Sequence, residues 1–94
     1  MKKLLLAAAA SLALFPSAAI AGVYNATVAT VAVGLCRYQL GYNTIEEVSE
    51  YGANYLSDQG YSDAAIDRAM NSPTFDDDVM SAIEAGGGCE RITR

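Results

Sequence analysis

Hydrophobic and polar positions follow two regimes along this chain. From Leu4 to Leu40 apolar residues dominate with few breaks, whereas from Thr44 onward they recur every three or four positions among acids, amides and glycines. The second regime predicts amphipathic helices. Thr44-Ile45-Glu46-Glu47 matches a capping box, in which the Thr hydroxyl accepts from the Glu47 amide and the Glu47 carboxylate reaches back. In the helix that follows, Ile45, Val48, Gly52, Tyr55 and Leu56 share one face, while Glu46, Glu50, Asn54 and Ser57 share the other. It is expected to end near Asp58, with Gly60 as its stop. Ser62-Asp63 opens a short helix that buries Ala65, Ile66, Ala69 and Met70 and ends at Asn71-Ser72-Pro73. A further helix starts at Ser72 or Thr74, because Pro73 suits the first helical position. Its inward face is Phe75, Val79, Ala82 and Ile83, and Gly86-Gly87-Gly88 ends it.

The first regime divides in two. Met1-Lys2-Lys3 precedes a twelve-residue run, Leu4 to Phe15, broken only by Ser11. Pro16 follows, and Ala19-Ile20-Ala21 places small residues at −3 and −1. This order is that of a secretory signal peptide over residues 1–21, cut near Gly22, with Ala19 as the alternative cleavage point. The run is short for a membrane anchor, which needs roughly 20 apolar residues. A lipoprotein reading fails because Val33-Gly34-Leu35-Cys36 lies far from the basic start and has bulky Leu before the Cys.

Val23–Leu40 then reads as a first helix. Val28, Val31, Leu35 and Tyr38 form one stripe, and Ala29, Val33, Cys36 and Leu40 lie on the other side. Its valines and threonines also suit a strand. A helix apolar nearly all round is a buried one, so this helix is expected at the centre, covered by the other three. Asn25, Thr27, Thr30 and Arg37 make it a poor lipid partner, and no membrane span is expected after cleavage. Gly41-Tyr42-Asn43 is the turn that follows it. The expected fold is all-α: about four short helices, closed by one disulfide.

Cleavage changes the chemistry that is left. Residues 22–94 make one small domain of 73 residues without Lys or His. Arg37, Arg68, Arg91 and Arg94 face eleven carboxylates, leaving a net charge of −7. Such a surface repels phosphate backbones and anionic headgroups, so neither nucleic acid nor a lipid surface is an expected partner. Absence of His and Lys excludes Ser-His-Asp triads, Cys-His pairs, Schiff-base lysines, P-loops and the common zinc sites. No cofactor, metal or catalytic residue is expected, and the chain reads as non-enzymatic. Cys36 and Cys89 form no CxxC, and an oxidising compartment would pair them as a structural bridge.

Two features remain as candidate sites. Asp76-Asp77-Asp78 could suggest a hard cation, but no EF-hand spacing follows, and first-turn acids opposing a helix dipole explain the run. Tyrosine is overrepresented against a complete lack of Trp. Tyr38, Tyr42, Tyr51, Tyr55 and Tyr61 lie on or between the first three helices, as a partner-binding surface would. A small domain also half-buries aromatics for want of interior. Asn25-Ala26-Thr27 matches a glycosylation sequon on a helix expected to be buried, and Glu46/Glu50, on a solvated face, have nothing to raise a pKa. The leading expectation is therefore an exported, periplasmic or extracellular interaction domain whose partner is another protein or a further copy of itself. Behind it stand an acid-stress chaperone, driven by protonation of the eleven carboxylates, and then an enzyme using carboxylates alone.

Overall fold

In the computed structural model, which describes residues 22–93, the stretch expected as either helix or strand is helical throughout: α1 spans Gly22–Gln39. The leader assigned to residues 1–21 lies outside the described residues. Buried Thr27 and Thr30 show how polar positions enter the core of such a helix. Their hydroxyls donate to the carbonyls of Val23 at 2.6 Å and Ala26 at 2.7 Å, one turn back, so they arrive in the interior already satisfied. Helix propensity costs a Val only about 0.5 kcal/mol. Burying its side chain is worth roughly 1.5 kcal/mol or more, so tertiary packing decides for helix.

The remaining helices are α2 (Ile45–Asp58), α3 (Asp63–Met70), α4 (Phe75–Ala85) and α5 (Cys89–Ile92). α2 carries the complete capping box: the Glu47 amide donates to Thr44 Oγ1 at 3.1 Å, and the Thr44 amide donates to Glu47 Oε1 at 2.8 Å. The Thr44 backbone bond holds the Glu47 carboxyl below its ordinary pKa of 4.5, with the Thr44 and Asn43 side chains adding to it. Because the folded value is lowered, this cap stabilises α2 fully above pH 4.5 and is lost as pH falls through the lowered value. α3 starts on Ser62, whose hydroxyl accepts from the Ala65 amide at 3.2 Å. At α4 the Thr74 hydroxyl makes no cap bond and donates instead to the Asp78 carboxylate at 3.1 Å.

α1 ends where Gly41 takes φ +79°. The Tyr42 amide then reaches back to the Arg37 carbonyl at 2.9 Å and the Gly41 amide to Tyr38 at 3.1 Å. These are the two bonds of a Schellman ending, which a residue with Cβ makes only under strain. α2 and α4 end in the same way, at Gly60 and Gly87.

α1 is the hub, packing against α2, α3, α4 and α5 in turn. One of its faces, Val28, Ala32 and Cys36, meets Phe75, Val79 and Ile83 of α4 to form the main core, with Val31, Leu35 and Ile92 packed against it. Cys36 is fully buried there, and Cys89 at the start of α5 lies at disulfide distance from it, with Cα atoms 4.9 Å apart. The other face, Thr30, Val33 and Gly34, meets α2.

The helical order follows the expected one, with differences that have local causes. α5 is a fifth element, a single turn that follows the Gly-rich bend and brings Cys89 to α1. Tyr38, read both as part of an apolar stripe of a buried helix and as part of a partner surface, is exposed. The core stripe of α1 runs 28/32/36 toward α4, and Tyr38, two positions past Cys36, lies about 200° round the helix from it. Ile45 and Met70 are also exposed. Each sits at a helix end, in the first turn of α2 and the last of α3, while Leu56 and Ala69 take the buried places.

Candidate functional site

The α1 and α2 backbones approach closely because both present glycine at the crossing. A Cβ on Gly34 would lie 3.4 Å from Val48 Cβ, and one on Gly52 would lie 3.2 Å from Thr30 Cγ2. Rising positions on α1 thus face falling positions on α2, so the pair is antiparallel. Between them lies a cleft of about 50 Å³. α1 lines it with Thr30, Val33, Gly34 and Arg37, and α2 with Val48, Tyr51, Gly52 and Tyr55. Its walls are aliphatic and aromatic, and Arg37 carries its one formal charge.

Arg37 is fixed from two sides. Its Nε donates to Asn43 Oδ1 at 2.6 Å, and its guanidinium carbon lies 5.3 Å from the Tyr42 ring centroid, a cation–π contact. Both partners come from the turn that the Schellman ending creates, so the Gly41 bend positions the Arg37 head group. Of the five guanidinium N–H groups, the bond to Asn43 uses one.

The five tyrosines separate. Tyr51 and Tyr55, one turn apart on α2, line the cleft, whereas Tyr42 stacks on Arg37 without lining it. Tyr38 is exposed on the last turn of α1 and does not line the cleft. Tyr61 lies at the opposite end of the hub, where its hydroxyl would be 3.3 Å from a Cβ on Gly22. That position is about 22 Å from Arg37 along the helix, at 1.5 Å per residue, too far to share a small site.

Two residues escaped sequence reasoning. Arg37 is the first; a lone cation in an otherwise apolar helix was its signal, read only as a disqualification from lipid. Tyr24 is the second. Its ring meets Phe75 edge-on at 6.2 Å, and its hydroxyl donates to the Asp78 carboxylate, which also accepts from Thr74. The acidic run is thereby divided: Asp78 belongs to a polar clasp between α1 and α4, and Asp76 and Asp77 face solvent. Glu46 and Glu50 are both exposed on α2. Among the described residues, no helix is long and apolar enough to cross a membrane. Comparisons with protein-family models, curated proteins and solved structures found no match to this chain.

Proposed function

We propose that this is an exported, non-enzymatic interaction domain that binds another protein through the α1–α2 face. The observation that supports this reading is one cleft in which two tyrosines of α2 and a pre-oriented arginine of α1 surround apolar walls. Tyrosine and arginine are the residues that concentrate binding energy at protein interfaces. Tyr42, Tyr51 and Ile45 are about half exposed, so apolar surface extends outward from the cleft. Export is supported by the leader pattern of residues 1–21 and by Cys36 and Cys89 lying at bonding distance, a pairing that persists in oxidising compartments.

Capture from the native compartment tests the reading. Wild-type protein and a Tyr51→Ala/Tyr55→Ala variant, both oxidised and folded by circular dichroism, are compared by quantitative mass spectrometry. A set of proteins recovered with wild type and depleted at least fivefold with the variant is the expected result. Equal recovery with both proteins contradicts the reading.

A further inference from the structure

We propose that the Cys36–Cys89 bridge exchanges with small external thiols through Cys89 alone, which makes Cys89 Sγ a site of S-thiolation. Neither cysteine lines the α1–α2 cleft, so the site stands or falls independently of the binding face.

The two sulfurs differ in access. Cys36 is 0% exposed and belongs to the core cluster with Val28, Ala32, Phe75, Val79 and Ile83. No thiolate reaches it without parting α1 from α4. Cys89 is partly exposed. Its Sγ lies 3.6 Å from Oε1 of Gln39, an exposed residue of the last turn of α1.

The two cysteines also sit on elements of different strength. Cys89 opens α5, a single turn of four residues, too short to hold as a helix by itself. It hangs from Gly87 and Gly88, at φ +93° and +96°, and packs against the core through Ile92. Lifting α5 uncovers Cys89 and leaves the α1–α4 core closed. Local openings of this kind cost less than opening the whole molecule.

Exchange begins when a thiolate RS⁻ attacks Cys89 Sγ, forming an RS–Sγ bond and breaking the Cys89–Cys36 bond. The electron pair leaves on Cys36, which takes up the proton that RSH gave away. A second thiolate then attacks the RS sulfur of the adduct, releasing RSSR and the Cys89 thiol. With RSSR as oxidant, the same steps in reverse close the bridge. Leaving-group chemistry points the other way from access. Exchange is faster when the departing thiolate is stable, and an apolar core stabilises a thiolate less than water does. Departure alone would favour attack on Cys36; access allows only attack on Cys89.

The test incubates the native, oxidised protein with reduced glutathione, quenches samples in acid, and maps peptic peptides by mass spectrometry. A parallel series is run in concentrated urea. At the earliest times native Cys89 is expected to carry at least ~10-fold more glutathione than Cys36, because only the cheaper opening is used. In urea, where both sulfurs are open, the ratio should fall below about 2-fold. Equal labelling of the native protein would mean that the bridge opens only with the whole molecule, and overturns the proposal. A preference for Cys36 overturns it too. A Cys89 preference that persists in urea belongs to neighbouring residues rather than to the fold, and also overturns it. So does the absence of any adduct under conditions in which dithiothreitol reduces the bridge.

Discussion

A Cys36→Ala/Cys89→Ala variant is expected to lose about 4 kcal/mol of stability in equilibrium urea unfolding, the loop-closure value for a bridge of this span. The cysteines are separated by 53 positions, so the bridge restrains most of the folded chain in its unfolded state. Cys36 is also fully buried in the core between α1 and α4, and truncating it removes packing as well as the cross-link. A core of this size rarely supplies more than about 3–5 kcal/mol. The variant should therefore be substantially unfolded by circular dichroism at 37 °C, and reduction of wild type with dithiothreitol should reproduce the loss. A difference below about 1 kcal/mol would show that α5 and its bridge are an attachment to a self-sufficient bundle. On the proposed export, the compartment is then a condition for folding, because only an oxidising one preserves the bridge.

Phe75→Ala is the second large effect, about 3 kcal/mol or more, the range for truncating a buried aromatic. Phe75 is 5% exposed, is the first residue of α4 and packs into the Val28/Ala32/Cys36 face of α1. Its ring also meets Tyr24 edge-on, at 85°. Truncation leaves a void on the hub that α4 cannot fill without giving up the Tyr24–Asp78 bond one turn further along. At about 5 °C per kcal/mol for a domain of this length, the melting temperature should fall by roughly 15 °C. Phe75→Leu should cost less than half as much, because it keeps most of the volume. Equal effects from Leu and Ala would place the importance of Phe75 in the ring contact with Tyr24 rather than in core volume.

What was legible in the sequence follows from how local each signal is. The capping box at Thr44, the Gly41 and Gly60 endings and the α4 face at Phe75, Val79 and Ile83 are written within one or two turns, and each has its expected place. The pairing distance of Cys36 and Cys89 was legible by count alone. The orientation of α1 was not. A helix apolar nearly all round has no single inward face, so the stripe through Val28 and Tyr38 could not be told from the stripe through Val28, Ala32 and Cys36. Only the positions of the covering helices decide it. The cleft was hidden for a related reason. Gly34 and Gly52 matter because they meet across a helix pair, and Arg37 matters because a turn of the backbone delivers Asn43 and Tyr42 to it. None of these is a property of spacing along the chain. Grouping the tyrosines by sequence therefore joined Tyr61 to residues it does not approach, while Tyr24, outside that group, supports the core.

Site-specific photo-crosslinking in the native compartment tests the α1–α2 face most directly. The intact, oxidised chain carries p-benzoylphenylalanine in place of Tyr51, Tyr55, Tyr61 or Glu84 in turn. Tyr51 and Tyr55 line the cleft, Tyr61 lies at the far end of α1, and Glu84 is exposed on α4. A discrete adduct of the same mass is expected from the Tyr51 and Tyr55 positions and none from Tyr61 or Glu84. An adduct from Tyr61 or Glu84 without one from Tyr51 and Tyr55 would contradict it and move the binding surface to another part of the molecule.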